Sequence, residues 1–291
     1  MPPAATGSFI DSRQPRSITV PCLGFEVHAV TWGEATSPAL IMWHGLARTG
    51  RDFDEIAAAL SDRHFVVCPD TIGRGLSQWS GDPDRHYCLG FYAETARALA
   101  DGLGFGQLDW LGTSMGGALG MRVAATTLAG RMRRLVINDI GPTFPTAPFE
   151  RIKAYVGNTP EFATVGELET YFRTIYTPFG HHSDAQWRHM AETSHRRLPN
   201  GRITTHYDPA IVRQMFAHPR DYEQWEHYDR ITAPTLVLRG VSSDLLLPDV
   251  AAEMARRGPK ARIAEIEGCG HAPALNVPGQ IALVRQFLAE G

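Results

Sequence analysis

Short apolar runs alternate with helical periodicity along most of the chain. Residues 39–43 are apolar at every position, which predicts a strand buried on both faces. Between Leu89 and Leu103 apolar residues recur at steps of three and four, which predicts a helix that Gly104 ends. This alternation is typical of an α/β fold, a mostly parallel central sheet flanked by helices on both faces. The other predicted strands are a hairpin at 17–20 and 25–32, then 64–68, 108–111, 134–138, 235–238 and 261–266.

Residues 143–227 break the alternation. They show no strand pattern, but they contain aromatic-rich helical pieces at 149–156, 165–176, 184–194 and 211–216. Ligands of open parallel sheets bind at the carboxyl edge of the strands, so we expect this stretch to form a helical cap, or lid, over that edge. The predicted division is a core domain of residues 1–142 and 228–291 with an inserted cap of residues 143–227.

The sharpest chemical pattern is Gly-Thr-Ser-Met-Gly at 112–116, set between the predicted strand 108–111 and a predicted helix that begins at Met115. It matches the G-x-S-x-G nucleophile elbow, in which the serine sits on a strained strand-to-helix turn. The residues two before and two after that serine must lack a side chain, and here both are glycine. Ser114 is therefore the predicted nucleophile.

The turn after the strand 39–43 is predicted to complete an oxyanion hole. Acyl transfer needs two donors directed at the developing oxyanion. The elbow offers the Met115 N–H, and this turn offers the Leu46 N–H. We interpret His44 as a structural residue that forms hydrogen bonds within the turn.

Three residues around the same turn are candidates for contact with a substrate, namely Trp43, Gly45 and Arg48. Two interpretations of Arg48 stay open. Its guanidinium binds a substrate carboxylate bidentately, or it forms a salt bridge with Asp52 or Asp54 on the following helix.

The predicted base is His271, which lies in a tight loop, Gly-Cys-Gly-His-Ala-Pro at 268–273, after the last predicted strand. The predicted acid is Asp244, in the loop after the strand 235–238. This gives the chain order serine, acid, histidine that accompanies a nucleophile elbow. Asp139, which follows the strand 134–138, is the alternative acid, and it is also explained as a turn former.

Over nearly its whole length the chain resembles the α/β-hydrolase fold family with a helical cap. The matching motifs are His44-Gly45, the loop 70–77, the elbow, the G-x-x-S-D loop at 240–244 and the G-x-G-H loop at 268–271. The resemblance implies a catalytic triad of Ser114, Asp244 and His271. The loop 70–77 has Arg74 where many relatives have histidine, and residues 46–49 lack the further glycines of many lactonases and carbon–carbon-bond hydrolases.

The expected activity is hydrolysis of a small to medium carboxylic ester or lactone through an acyl-enzyme, which needs no cofactor beyond these residues. Serine as nucleophile argues against the haloalkane dehalogenases and epoxide hydrolases of this fold, which generally use aspartate. The alternatives are a carbon–carbon-bond hydrolase, an acyltransferase, and a ligand-binding protein that has lost catalysis.

Composition narrows the class of partner. The 291 residues carry a net charge of −3, which gives no basic surface for nucleic acid or an anionic membrane. No apolar run is long enough to span a bilayer, and the polar start at 1–14 does not resemble a secretory signal. The four scattered cysteines and the His181-His182 pair show no spacing for a disulfide framework or a metal site. We therefore expect a cytoplasmic enzyme acting on a small molecule.

Overall fold

The computed structural model describes residues 14–290, and an eight-stranded sheet forms its centre. The strands of this sheet are β1 (Arg16–Cys22), β2 (Phe25–Trp32), β3 (Ala39–Trp43), β4 (Phe65–Pro69), β5 (Leu108–Thr113), β6 (Met132–Asn138), β9 (Thr235–Gly240) and β10 (Arg262–Ile266). Their order is β1-β2-β4-β3-β5-β6-β9-β10. β1 and β2 form an antiparallel hairpin, β2 pairs antiparallel with β4, and the remaining pairs are parallel. The predicted mostly parallel sheet is confirmed.

Helices cover both faces of the sheet, as predicted. Side chains alternate between the two faces of a strand, so Ile41 and Trp43 of β3 belong to one apolar cluster and Leu40 and Met42 to another. The helices that precede β6 or follow β9 are α1 (Asp54–Leu60), α2 (Pro83–His86), α3 (Leu89–Gly102), α4 (Met115–Ala125), α10 (Pro248–Met254) and α11 (Pro278–Ala289). The first cluster includes residues of α3 and α4, and the second includes residues of α1 and α11.

The segment between β6 and β9 is mainly helical and has an apolar cluster of its own, built around Leu168, Phe172 and Trp187. The division of the chain at 143 and 227 stays a prediction. The elements of the segment are α5 (Thr146–Val156), α6 (Val165–Ile175), α7 (Asp184–Thr193), β7 (His195–Arg197), β8 (Ile203–Thr205), α8 (Gln214–Ala217) and α9 (Trp225–Tyr228).

The expectation that residues 143–227 contain no strand was wrong, because β7 and β8 pair as a small antiparallel hairpin. Each strand has only three residues, too few for a period-two pattern to appear in the sequence. The turn between them contains Asn200-Gly201, with Gly201 at a φ of +83°. That dipeptide is typical of hairpin turns, and it was the one feature of the sequence that indicated this hairpin.

Candidate active site

The nucleophile elbow is formed as the sequence predicts. Ser114 lies between the end of β5 and the start of α4, with φ +53° and ψ −116°. A Cβ on Gly112 would overlap the carbonyl oxygen of Gly116, and a Cβ on Gly116 would overlap that of Trp43. Only glycine therefore fits at either position, because the turn folds back too tightly for any side chain.

His271 meets the elbow from the loop after β10. Its Nε2 lies 2.8 Å from Ser114 Oγ, a hydrogen-bonding distance. The His271 side chain is 15% exposed, which leaves it open to the cavity described below. The structure thus brings together the two residues, 157 positions apart, that the sequence paired.

Asp139 occupies the far side of the imidazole. Its Oδ2 lies 2.9 Å from His271 Nδ1 and accepts a 2.6 Å hydrogen bond from Ser243 Oγ. Its Oδ1 accepts the Gly240 N–H at 2.8 Å. The carboxylate is fully buried, so these three contacts satisfy a charge that would otherwise be costly to bury. Ser114, His271 and Asp139 therefore form one continuous chain of hydrogen bonds.

Asp244, the acid expected from the sequence, does not reach His271, and the structure corrects that expectation. Its side chain is half exposed and forms a 2.6 Å ion pair with Arg151 of α5, which lowers the pKa of the Asp244 carboxyl. The reason lies in the strand order. β6 is next to β5, so a carboxylate directly after β6 stands beside the nucleophile, whereas the loop after β9 starts one strand farther away. Its neighbour Ser243 points inward instead and supports Asp139.

The two backbone donors expected for an oxyanion hole belong to Met115, which follows Ser114, and to Leu46. Met115 is the first residue of α4, so its N–H has no acceptor within the helix. Leu46 lies in the turn after β3 and lines the same cavity as Ser114. Their role as oxyanion donors stays a prediction.

A cavity of about 500 Å³ opens onto Ser114 and His271. One wall comes from the turns at the carboxyl edge of the sheet, including Gly45 and Leu46. The opposite wall comes from the segment between β6 and β9, through α5, α6, α7 and the chain between α6 and α7. Most of that wall is apolar, with Ile152, Ile175, Phe179 and Met190 among its residues.

The three residues expected to contact a substrate lie in different surroundings. Gly45 lines the cavity. Trp43 does not, which corrects that expectation: it is fully buried, stacks on Trp110 and donates its indole N–H to Thr71 Oγ1 at 2.8 Å. Its side chain points into the sheet–helix core because β3 is buried on both faces.

Arg48 lines the cavity, but its guanidinium is engaged by the protein. It is only 5% exposed and bonds both carboxylate oxygens of Asp52, at 2.8 and 2.5 Å. It also donates to Ser194 Oγ at 3.0 Å and lies near the rings of Phe172 and Tyr176. This geometry favours the salt-bridge interpretation over carboxylate recognition.

His44 is structural, as interpreted from the sequence. Its Nε2 accepts the Thr71 N–H at 2.9 Å, and its Nδ1 donates to the Gly45 carbonyl at 2.7 Å. Burial lowers the pKa of His44 to about 4, so the ring is neutral near pH 7.

Sequence reasoning missed Asn138, a buried residue at the end of β6. Its amide donates to Thr113 Oγ1 at 3.0 Å and to the Pro273 carbonyl at 2.8 Å. It therefore joins the strand that carries Ser114 to the loop that carries His271. Its position directly after an apolar strand, beside Asp139, was the only sign of such a role.

Among residues 14–290, no group of three or more histidine, cysteine, aspartate or glutamate side chains is arranged to hold a metal ion. In the same part of the chain, no helix combines the length and the apolar character needed to cross a bilayer.

The fold and this hydrogen-bonded serine, histidine and aspartate define a class of hydrolytic enzyme, and comparison with known proteins agrees. A model of the alpha/beta hydrolase family matches residues 40–282, and the chain belongs to that family. A 3-hydroxybutyrate-oligomer hydrolase of Cupriavidus necator is 38% identical over 266 residues, which are 88% of this chain and 90% of that protein.

Solved structures agree with the fold. An alpha/beta hydrolase of Novosphingobium aromaticivorans superposes with a TM-score of 0.84 at 31% identity, covering 94% of this chain and 98% of the other. A protein of Rickettsia typhi superposes with a TM-score of 0.86 at 26% identity, with the same coverage of both chains. The chain is an enzyme, a hydrolase of this family.

Proposed function

We propose that this hydrolase cleaves carboxylic esters through an acyl-enzyme on Ser114. The observation that carries the proposal is the unbroken hydrogen-bonded chain from Ser114 Oγ through His271 to Asp139, opening on a cavity. This arrangement has the geometry of a nucleophile, its base and the acid that orients the base.

In the first half of the proposed reaction, Ser114 Oγ attacks the ester carbonyl carbon and its proton moves to His271 Nε2. Negative charge develops on the carbonyl oxygen, which the Leu46 and Met115 N–H groups bind. His271 then protonates the leaving alcohol as the carbon–oxygen bond breaks, and the acyl group stays on Ser114. Asp139 holds the second imidazole proton on Nδ1 and stabilises the imidazolium.

In the second half, His271 removes a proton from water, and the resulting hydroxide attacks the acyl carbon. The tetrahedral intermediate collapses, the carboxylic acid departs, and the proton on His271 returns to Ser114. In every step one proton moves between His271 Nε2 and an oxygen, first that of Ser114, then that of the leaving alcohol, then that of water and finally that of Ser114 again.

For the substrate we propose short oligomers of 3-hydroxybutyrate, which are linear esters. The support is the 38% identity over nearly the whole length to the hydrolase named for that substrate. A cavity of about 500 Å³ is also within the usual range of small-molecule sites, roughly 300 to 1,000 Å³.

The test is to incubate the protein with the 3-hydroxybutyrate dimer and trimer, with p-nitrophenyl butyrate and with a γ-lactone, and to quantify the released acids. We expect all the linear esters to be cleaved and Ser114→Ala to lower kcat by about 10⁴ to 10⁶. A wild-type protein that cleaves none of them would contradict the ester hydrolase proposal. Cleavage of p-nitrophenyl butyrate without the oligomers would contradict only the substrate.

The chain offers a matched control for this variant. Ser17 Oγ lies 2.8 Å from His28 Nε2, and His28 Nδ1 lies 2.8 Å from Asp70. In this second chain the serine lies on β1, the histidine on β2 and the aspartate directly after β4. None of the three lines the cavity, and the serine sits in a regular strand. Ser17→Ala should keep full activity, and a fluorophosphonate should label Ser114 but leave Ser17 unmodified.

A further inference from the structure

Arg74 is a fully buried cation beside the catalytic turn, and the reaction described above does not use it. It lies in the loop after β4. Its Nε donates to the Leu46 carbonyl at 2.9 Å, and its Nη1 donates to the Ile72 carbonyl at 2.9 Å and to the Tyr92 hydroxyl at 2.6 Å. Its Nη2 lies 3.7 Å from Met115 Sδ.

No carboxylate of residues 14–290 forms an ion pair with Arg74, because the groups that it contacts are two carbonyls, a phenol and a thioether, all neutral. The guanidinium instead lies between the rings of Tyr87 and Tyr92, 5.6 and 5.2 Å from their centroids. Burial raises the pKa of Tyr92 to about 12, so that phenol is neutral near pH 7. A buried charge without a counter-ion is costly.

The contacts of Arg74 converge on the two residues whose N–H groups are the proposed oxyanion donors. It holds the carbonyl of Leu46, which limits rotation of the backbone on the carboxyl side of that residue. It also packs against the side chain of Met115, the residue that follows the nucleophile. The same loop is fixed to the segment between β6 and β9 by hydrogen bonds from Gly75 N–H to the His206 carbonyl and from Asp208 N–H to the Gly73 carbonyl.

We propose that Arg74 is a positioning residue that holds the turn of Leu46 in the conformation that binds the transition-state oxyanion, and that its positive charge adds to the stabilisation of that oxyanion. The inference rests on the proposed ester hydrolysis through Ser114. It predicts that losing the guanidinium weakens binding of the transition state more than binding of the ester.

The experiment compares wild type, Arg74→Met and Arg74→Lys in hydrolysis of p-nitrophenyl butyrate and in inhibition by an alkyl trifluoromethyl ketone. The ketone carbon accepts Ser114 Oγ, the serine proton moves to His271, and the ketone oxygen becomes an oxyanion in the same position as that of the reaction. Removing a whole oxyanion donor costs about 10²- to 10³-fold in kcat, so misplacing one should cost about 10- to 100-fold in Arg74→Met. We expect the affinity for the ketone to fall by the same factor, the KM to stay within about threefold, and Arg74→Lys to recover part of the loss.

Two further variants make the result decisive. Arg122→Met removes an arginine of α4 itself, one that pairs with Asp221 outside the cavity, and should leave kcat unchanged. Tyr92→Phe removes one acceptor but keeps the cation, so it should lower kcat and ketone affinity together by a few fold. If Arg74→Met does not fold, Tyr92→Phe tests the proposal by the same two measurements, kcat and ketone affinity.

The inference is overturned if folded Arg74→Met, or Tyr92→Phe in its place, keeps kcat and ketone affinity within about twofold of wild type. It is equally overturned if kcat falls while ketone affinity does not. A wild-type protein that neither cleaves esters nor binds the ketone would instead refute the proposed function, so the two failures are distinguishable.

Discussion

At the scale of single residues, the backbone of Asp139 explains why this carboxylate can stand beside the imidazole. Its φ is +59°, a left-handed conformation that aspartate adopts more readily than most residues. The chain turns sharply there, directly after β6, and the carboxylate meets His271, Ser243 and the Gly240 N–H together. Valine or isoleucine, which are β-branched, would be strained in that conformation, and their apolar side chains could not accept these hydrogen bonds.

The first prediction at this scale concerns Asp139→Asn. The asparagine carbonyl can still accept the Gly240 N–H, which leaves its amide facing His271 Nδ1. That amide is a donor, so Nδ1 must accept and the imidazole proton must sit on Nε2, where it blocks proton transfer from Ser114. We expect kcat to fall by about 10⁴, the scale of the corresponding change in serine proteases, with a folded protein by circular dichroism.

Asp244→Asn is the matched control, because it makes the same substitution in the acid that the sequence favoured. It removes a half-exposed ion pair with Arg151, and such pairs contribute at most about 1 kcal/mol. We expect kcat to stay within about threefold of wild type. A large loss of kcat in Asp244→Asn, with an active Asp139→Asn, would reverse the assignment of the acid.

At the scale of elements, the features that could be predicted from the sequence are those that depend on neighbouring residues alone. The apolar run of β3, the glycines around Ser114 and the glycine-flanked loop of His271 each carry their structural requirement in neighbouring residues. The acid does not, because choosing between Asp139 and Asp244 depends on which strand lies next to β5. Strand order is a long-range property of the sheet, and a single sequence shows only that both carboxylates follow strands.

Contacts between loops were beyond sequence reasoning for the same reason. Arg74 and Leu46 are separated by 28 positions, and Asn138 and Pro273 by 135. Nothing in the residues between them records that these loops meet at one edge of the sheet. The motif containing Arg74 was visible in the sequence, but its contact with the turn of Leu46 was not.

One prediction belongs to the two loops that His44 joins, the turn after β3 and the loop after β4. The pKa of His44 is about 4 in the folded protein, against about 6.5 when unfolded. As the pH falls below 6.5, the His44 imidazole is protonated in the unfolded chain but not yet in the folded protein. The contribution of His44 to the free energy of unfolding is therefore fully present above pH 6.5 and is lost as the pH falls toward 4. From pH 7.5 to 5.0 this group alone should remove about 2 kcal/mol from the free energy of unfolding.

The measurement is urea unfolding at both pH values for wild type and His44→Gln. Glutamine does not titrate, and its carbonyl can accept the Thr71 N–H. Between the two pH values the free energy of unfolding of His44→Gln should therefore fall by about 2 kcal/mol less than that of wild type. Burial also lowers the pKa of His64, His182 and His206, but these groups are present in both proteins and cancel in the comparison. An identical pH dependence in the two proteins would show that His44 contributes none of it.

At the scale of the whole molecule, the site is assembled from two parts of the chain. The sheet provides Ser114 and His271, and the segment between β6 and β9 provides the opposite wall of the cavity. Arg48 joins the two parts, since it pairs with Asp52 of the core and contacts Phe172, Tyr176 and Ser194 of the segment. The size of substrate that the cavity admits is therefore expected to depend on the contacts of Arg48 that join its two walls.

The last prediction follows from that position. If Arg48 holds the walls together and does not bind a substrate carboxylate, Arg48→Met should lower kcat/KM for p-nitrophenyl butyrate and for mono-p-nitrophenyl glutarate by the same factor, within about twofold. The loss of contacts should also speed hydrogen exchange in α6 and α7. Arg173→Met is the control, because Arg173 pairs with Glu169 and Asp184 inside the segment and should leave both rates unchanged. A loss confined to the glutarate ester would instead make Arg48 the carboxylate-binding residue, because only a direct contact with the charged group can separate two esters that share one leaving group.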